Sequence, residues 1–293
     1  MKKRLTFGDV VFESFNTIIM MLVVAATLYP FLYILFASFS EALPLTQHRG
    51  LLIRPLGFSF AAYRLAFLNP MIGKGYMNTL TIVTVGTALN ILFTSMSGYV
   101  LSRKRFTPRK IIMLIATFTM FFGGGLIPFY LQVRALNLHN TYFALWLPTL
   151  ISTFNLIILR NAFAAVPDSM EESARIDGAN DMVIFSRIMV PLVLPTIAVI
   201  ILYCAVGHWN GWFNAMLFMN KRETFPLQLI LREILINNSM TDMLVDVGGT
   251  DREMVGETIK YATIVIATVP ILCVYPFLQK YFVRGVMIGA IKE

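Results

Sequence analysis

Six long runs of apolar residues alternate with polar segments along the 293-residue chain. Each run approaches the roughly 20 residues that an α-helix needs to cross a bilayer. We predict membrane spans near residues 18–36, 80–100, 111–133, 141–159, 188–206 and 261–282. Over segments of this length, only helices satisfy their own backbone hydrogen bonds in lipid. The pattern therefore predicts an all-α polytopic membrane protein in which residues 1–293 form a single transmembrane domain.

The composition agrees with this class. The chain is 57% hydrophobic and 14% charged, with a mean hydropathy of +0.70, whereas soluble domains are about 25% charged. Both cysteines, Cys204 and Cys273, fall inside predicted spans. We expect them to be small buried apolar residues, not disulfide partners or metal ligands.

A polar segment from Pro167 to Pro195 separates predicted spans four and five. Ser169 and Glu172 fit a helix-capping box, and Asp168 is an alternative cap. Gly178 can adopt a left-handed conformation that ends this helix. Asn180 or Asp181 can then cap a second helix that continues into span five. The pattern predicts a helix, a glycine turn and a second helix, although an amphipathic interfacial loop could carry the same caps.

Basic residues orient the predicted helices. Five of them lie between spans two and three, within residues 103–110, whereas Arg134 alone lies between spans three and four. Short cytoplasmic loops carry an excess of lysine and arginine. Both termini and the segment from Pro167 to Pro195 are therefore predicted to be cytoplasmic.

The sequence lacks several devices that drive transport. Residues 42–167 contain no carboxylate, and neither do spans five and six, whereas proton-coupled carriers keep titratable groups inside the membrane. No GxxxxGK[ST] phosphate loop or HExxH motif occurs. The histidines His48, His139 and His208 lack ligand spacing, and we expect them to be surface or packing residues. We expect a partner to drive any pore that the chain forms.

Two predicted spans have unusual compositions. Span two is rich in threonine, serine and glycine, which favours close helix packing, with a polar path as the alternative. The three glycines at 123–125 interrupt span three, as is tolerated beside protein or a cavity. This break, with Gly124 and the following Tyr130, is interpreted either as part of a translocation path or as a site of close packing.

The polar segment carries a motif in addition to its caps. Glu172, Ser173, Ala174, Gly178, Ile188 and Pro191 resemble the EAA loop of ABC importer permeases, E-A-A-x3-G-x9-I-x-L-P. The spacing is kept, with Ser173 in place of alanine and Val190 in place of leucine. The segments ESARIDGAN, WNGWFNAM and QKYFVRGVMIGAIKE further resemble the second permease subunit of maltose-type carbohydrate importers. Within that group, they look most like a branch associated with complex or uronic-acid-containing oligosaccharides.

The resemblance implies the type I ABC importer permease fold with six membrane helices, in a bacterial plasma membrane. It implies a second permease subunit, two ATPase subunits and an extracytoplasmic solute-binding protein as partners. ATP and Mg²⁺ would be bound by the ATPases, so this chain is expected to need no cofactor and to be no enzyme. The expected cargo is an oligosaccharide, including acidic fragments of alginate or pectin. A permease for another solute and a stand-alone carrier or channel remain as alternatives.

The resemblance also implies that the loop 163–190 couples to an ATPase groove. The residues assigned to this ATPase coupling are Glu171, Glu172, Ser173, Ala174, Asp177, Gly178, Ala179, Ile188 and Pro191. The carboxy-terminal segment 285–292 is expected to reach between the ATPases.

A second group of residues is suited to sugar. Trp209, Asn210, Trp212 and Asn214 offer flat aromatic faces and amides at the outer end of span five. Tryptophan also anchors helices at membrane interfaces. Direct sugar contact, interface anchoring and contact with the binding protein all remain open for this cluster.

Overall fold

A computed structural model describes residues 7–237 and 256–273, and within these residues the chain is helical, without strands. The helices in chain order are α1 Phe7–Ser38, α2 Ala42–Gln47, α3 Ala61–Leu68, α4 Pro70–Ser102, α5 Arg109–Phe121, α6 Leu126–Ala135, α7 Phe143–Trp146, α8 Thr153–Ala164, α9 Asp168–Ile176, α10 Asp181–Val183, α11 Val190–Leu192, α12 Leu194–Trp209, α13 Phe213–Phe218, α14 Leu227–Asn237 and α15 Gly256–Cys273. A π-helix, Ile184–Met189, joins α10 to α11, and a 3₁₀ turn, Arg222–Thr224, precedes α14.

The described residues form two compact units, of which the first combines residues 7–70 with 233–237 and 256–269. Its core is a cluster of Ala37, Leu45 and Leu52, against which Tyr33 and Tyr261 pack. Most of α1 is exposed on the chain itself, and its side chains are strongly apolar. Such a surface fits lipid or another membrane helix.

The second unit combines residues 71–232 with 270–273, and α4 is its longest helix. Thr94, Ser95 and Gly98 on α4 are buried. A Cβ atom at Gly98 would lie 3.1 Å from Leu159 Cβ on α8. This close approach supports the helix-packing interpretation of the small residues in predicted span two.

Predicted span three consists of two helices, α5 and α6, separated by residues 122–125. The 13 residues of α5 give about 20 Å of helix, less than the hydrocarbon thickness. Gly125 has a φ of +85°, a conformation that glycine adopts without steric cost. Among the described residues, a Cβ atom added at Gly124 would meet Pro128 alone, and one added at Gly123 or Gly125 would meet no neighbour within 4 Å. The glycines therefore break the helix and are not sites of close packing within this part of the chain.

Predicted span four is not one helix. α7 ends at Trp146, residues 147–152 are non-helical, and α8 begins at Thr153. Pro148 has no backbone N–H with which to continue α7. The freed carbonyls of Thr149 and Leu150 accept hydrogen bonds from Asn90 Nδ2, at 2.6 and 2.9 Å. The prediction of one helix over residues 141–159 was therefore wrong. The sequence pattern did not reveal that Asn90 would satisfy the carbonyls of a non-helical segment.

Predicted span five is bent. Residues 181–192 and α12 meet at an angle of 83° around Val193, and Pro195 lies in the first turn of α12. The predicted span therefore has two parts: residues 188–193 belong to the segment before the bend and to the bend itself, and α12 begins at Leu194.

Three described helices, α1, α4 and α15, are long and apolar enough to cross a membrane, and the bent pair would make a fourth. α15 covers the first part of predicted span six. The rest of predicted span six, residues 274–282, and the carboxy-terminal segment 285–292 lie outside the described residues. The number of six spans stays a prediction.

Candidate functional site: the helix–turn–helix segment between α8 and α12

We call residues 167–193 the coupling element, and its turn has the predicted geometry. α9 ends at Ile176, and Gly178 follows with a φ of +82°. The Gly178 N–H donates to the Arg175 carbonyl at 3.0 Å, and the Ala179 N–H donates to the Ala174 carbonyl at 2.9 Å. This pair of bonds is a Schellman motif. The prediction that Gly178 ends the first helix is therefore confirmed.

The second helix also begins as predicted. Asn180 Oδ1 accepts a hydrogen bond from the Val183 N–H at 2.9 Å, so Asn180 caps α10. α10 has three residues and is followed directly by the π-helix and α11. These three elements connect the glycine turn to the bend before α12. Of the two predicted caps, Asn180 and Asp181, the structure selects Asn180.

The predicted capping of the first helix was wrong. α9 begins at Asp168, and its N-cap is Pro167, which makes no side-chain bond. Ser169 lies inside the first turn, where its carbonyl accepts from the Ser173 hydroxyl. The Asp168 carboxylate instead meets Lys104 Nζ at 2.9 Å. Contacts from another segment of the chain replaced the local cap.

A buried arginine fixes α9 from the inside. Arg103 Nη1 donates to Glu171 Oε2 at 2.9 Å, with side chains that are 7% and 10% exposed. Its Nη2 donates to the Phe163 carbonyl, and its Nε donates to Ser102 Oγ at 2.9 Å. The guanidinium also lies 5.3 Å from the Tyr99 ring centre. Because it contacts residues on α4, α8 and α9, Arg103 holds three helices together.

The ion-pair network continues to the second helix. Arg175 donates to Glu171 Oε1 at 2.7 Å and also pairs with Asp181. Arg105 meets the same Asp181 oxygen at 2.8 Å. Burial alone would raise the pKa of Glu171, but hydrogen bonds from Arg175 and Arg103 outweigh burial and lower the pKa. Hydrogen bonds from Arg105 and Arg175 likewise lower the pKa of Asp181. Both carboxylates are therefore ionised at neutral pH.

The inner side of the coupling element packs on an apolar cluster. Buried members come from α4, α8, α9, the π-helix, the bend and α12: Tyr99, Leu159, Phe163, Ala174, Ile184, Met189, Val193, Ile197 and Ile200. Ala179 and Ile188, two of the predicted coupling residues, pack against this cluster. Displacement of α9 would therefore be transmitted to α4, α8 and α12 through direct side-chain contacts.

The outer side of α9 is exposed. Glu172, Ser173 and Ile176 follow one another at helical spacing, and Asp177 and Gly178 extend the same exposed surface. Ile176 is 87% exposed, more than any other large apolar side chain among the described residues. We name this surface the outer stripe.

The predicted coupling residues therefore divide into two sets. The outer stripe holds Glu172, Ser173, Asp177 and Gly178, whereas Glu171 and Ala174 face inward. Pro191 lies exposed in α11, after the π-helix. Ile176 was absent from the prediction, although its apolar character among charged neighbours was visible in the sequence. Arg103 and Arg105 were predicted only as charges that orient the helices in the membrane. Their partners, Glu171 and Asp181, follow them by 68 and 76 positions along the chain, and such distant pairs leave no local pattern in the sequence.

The predicted sugar residues do not form one cluster. Trp209 is buried against Tyr76 at a centroid distance of 6.2 Å, and Arg232 lies 4.5 Å from the Trp212 ring centre. Asn210 caps the end of α12. Tyr130 stacks on the Phe218 ring in an apolar cluster, and Gly124 lies in the break before α6. Of the predicted sugar residues, Asn214 lines a cavity of this unit, which His208 also borders.

His208 was missed by the sequence prediction. Its Nε2 lies 2.7 Å from Asn90 Oδ1, a residue 118 positions away. His208 lies in the polar run, residues 207–214, that follows predicted span five. This run was the feature of the sequence that could have drawn attention to His208. Among the residues that the structure describes, no group of three or more His, Cys, Asp or Glu side chains is placed to hold a metal ion.

Comparisons with known proteins agree with this architecture, although no protein-family model matches the chain. The polygalacturonan/rhamnogalacturonan transport system permease protein YtcP of Bacillus subtilis (strain 168) is 42% identical over 263 residues, covering 90% of this chain and 92% of YtcP. Protein LplC of the same organism is 42% identical over 284 residues, covering 96% of this chain and 95% of LplC.

A solved structure is also similar. It is the crystal structure of a bacterial ABC transporter involved in the import of the acidic polysaccharide alginate, and one of its chains is 32% identical with a TM-score of 0.89. The match covers 96% of this chain and all of that one.

Fold and site together define an integral membrane permease that carries the predicted helix, glycine turn and second helix between α8 and α12. The chain belongs to the family of carbohydrate ABC importer permeases. As a permease subunit it is not itself an enzyme, and the resemblance drawn from its EAA-like loop is confirmed.

Proposed function

We propose that this chain is one permease half of an importer for acidic oligosaccharides, and that an ATPase subunit binds its outer stripe. The observation that carries the coupling role is the two-sided construction of α9. Buried ion pairs and an apolar cluster hold its inner side, whereas Glu172 and Ile176 remain open on its outer side. A rigid helix with an exposed apolar residue among charges suits a groove on a partner protein.

The proposed cargo rests on the relatives. YtcP is named for polygalacturonan and rhamnogalacturonan, and the similar crystal structure is an importer of alginate. All three polymers are acidic, and residues 42–167 of this chain contain no carboxylate that would repel such a cargo. We infer fragments of uronic-acid-containing polysaccharides as the substrate class.

The remaining parts of the proposal follow from the family. A second permease chain, two ATPase subunits that bind ATP and Mg²⁺, and an extracytoplasmic binding protein complete the system. The chain itself would need no cofactor. Six spans, cytoplasmic termini and a bacterial plasma membrane location fit the distribution of basic residues.

Ile176→Asp tests the outer stripe. Because the side chain is 87% exposed, the substitution should leave the fold intact, while a charge in an apolar interface costs binding energy. We expect the ATPase subunits to be lost on co-purification and ATP-driven uptake to fall more than about tenfold, which corresponds to about 1.4 kcal/mol. Glu172→Lys should act in the same way.

Ile53→Asp is the matched control, because Ile53 is 75% exposed and lies far from α9 in the sequence. It should retain the ATPases. Binding of oligosaccharide by the separate binding protein should be unchanged in every preparation. Full ATPase retention and normal uptake in both stripe variants would contradict the assignment.

A further inference from the structure

The second unit contains a cavity of about 450 Å³ beside the break between α7 and α8. This volume lies in the range of about 300–1,000 Å³ that is common for small-ligand sites. Its polar lining comes from α4, α8, α12, α13 and the segment between α7 and α8: Asn90, Thr149, Ser152, Asn155, His208 and Asn214. Among its described lining residues none is a lysine, arginine, aspartate or glutamate.

One wall of the cavity is held rigidly. Asn90 is buried, its Nδ2 donates to the carbonyls of Thr149 and Leu150, and its Oδ1 lies 2.7 Å from His208 Nε2. The imidazole lies against Gly86, where an added Cβ atom would come within 2.6 Å of Nε2. Non-helical backbone inside a membrane protein is tolerated where protein satisfies it or where it lines a cavity. Both conditions are met here.

Other polar groups of the cavity have unused hydrogen-bonding capacity. Asn155 is 7% exposed, and its only bond among the described residues is a long one of 3.5 Å from Nδ2 to Cys204 Sγ. Within the described chain, no side-chain hydrogen bond is made by Ser152 or Asn214. Because the one bond of the buried Asn155 amide is long and to sulfur, and Ser152 and Asn214 are accessible, these groups can still bind the hydroxyls of a ligand.

Aromatic rings complete the lining. Phe154 and Tyr203 both border the cavity, with ring centres 6.4 Å apart. Sugar rings present apolar C–H faces to aromatic side chains and hydroxyls to amides, the combination of flat apolar and precisely placed polar groups that small-ligand sites use.

We propose that this cavity is a sugar subsite that this chain itself contributes to the translocation path. Asn155, Ser152 and Asn214 bind the hydroxyls of one passing sugar residue, and Phe154 and Tyr203 contact its ring. Asn90 and His208 are positioning residues that keep the broken helix open. Because the lining is uncharged, the subsite binds neutral and acidic sugar residues alike. The proposal rests on the proposed function as an oligosaccharide importer.

The test uses the complete transporter in liposomes, with its binding protein and ATPases, and an oligogalacturonate as the cargo. We expect Asn155→Ala together with Asn214→Ala to lower uptake about tenfold, since each lost hydrogen bond is worth a few-fold. ATP hydrolysis stimulated by the loaded binding protein should stay within about twofold, because the coupling element is untouched. Asn161→Ala is the matched control, because Asn161 lies on the same helix, is exposed and does not line the cavity.

Cys204 provides an independent measurement, since it lines the cavity as a free thiol. Its alkylation by N-ethylmaleimide can be followed on its own peptide by mass spectrometry. Turnover with oligogalacturonate should slow the labelling several-fold in the wild-type transporter and not in the double variant. A matching slowing by a neutral cargo that the system transports would support the uncharged character of the subsite.

Two outcomes would overturn the subsite. One is that the double variant takes up cargo like the wild type and turnover does not slow the labelling of Cys204 in the wild-type transporter. The other is that uptake and ATP hydrolysis fall equally in the double variant, which would make the two residues structural. A failure of the proposed function is distinguishable, because the wild-type transporter would then show no ATP-dependent uptake of oligogalacturonate.

Discussion

At the scale of single residues, Glu171 and Glu172 have opposite roles although they are adjacent. Glu172 is exposed on the outer stripe, whereas Glu171 is buried and its two oxygens bind Arg103 and Arg175. A buried ion pair gives little net stability over an apolar pair, but removal of one partner leaves an uncompensated charge. The Arg103–Glu171 pair therefore specifies where α9 sits.

Removal of the Glu171 charge should loosen α9. We expect Glu171→Gln to cost about 3 kcal/mol, because Arg103 would remain buried without its carboxylate. Hydrogen–deuterium exchange of the α9 amides in the assembled transporter measures this opening. The double variant Arg103→Gln/Glu171→Gln should recover part of the loss, as expected for coupled partners. Asp168→Asn, which removes the exposed pair with Lys104, is the control and should exchange like the wild type.

The same pair predicts a pH dependence. Hydrogen bonds hold the pKa of Glu171 below its ordinary value of 4.5, despite the opposing effect of burial. A lowered pKa in the folded state means that the stabilisation is present above the ordinary value and is lost as the pH falls through the folded value. The exchange difference between wild type and Glu171→Gln should therefore be constant from about pH 5 to 8 and shrink in acid. A difference that grows in acid would contradict the ion-pair assignment.

At the scale of elements, the sequence predicted what is local. Gly178 ended α9 and Asn180 capped α10, because both signals act within four residues. The Ser169 cap failed, because Lys104 engages Asp168 from another segment. The break after α7 was missed for a related reason: Pro148 was visible, but the amide of Asn90 that satisfies the freed carbonyls comes from a residue 59 positions away.

The glycine turn offers a prediction at this scale. Proline fixes φ near −65° and has no N–H, so Gly178→Pro can form neither the +82° conformation nor the bond to the Arg175 carbonyl. We expect ATP-driven uptake to be abolished while sugar capture by the binding protein persists. Gly178→Ala should retain part of the uptake, because the space around a Cβ atom is empty and only the backbone conformation costs about 1–2 kcal/mol.

Gly73→Ala is the matched control for this turn. Gly73 lies in α4 with equally empty space around it and without a positive φ, so alanine should be neutral or slightly stabilising. Normal uptake by Gly178→Pro would show that the turn is not needed for coupling.

At the scale of the whole molecule, the second unit joins its coupling element and its cavity through shared helices. α8 contributes Leu159 and Phe163 to the cluster under α9, and Asn155 to the cavity wall. α12 likewise contributes Ile197 and Ile200 to the cluster and His208 to the cavity. A displacement of α9 therefore acts on two helices that also shape the cavity, which is what alternating access driven from the cytoplasm requires.

This arrangement predicts that the chain cannot transport alone. It has no phosphate-binding loop, and the predicted spans five and six and residues 42–167 contain no carboxylate to couple protons. Liposomes that contain only this chain should not accumulate oligogalacturonate, with or without a proton gradient. The complete system should accumulate it in an ATP-dependent manner, and collapse of the proton gradient should leave that rate unchanged. An ATPase subunit that binds but does not hydrolyse ATP is the control and should abolish uptake. Accumulation by the chain alone would identify a stand-alone carrier and would remove the reason for α9 to present an exposed isoleucine between two charges.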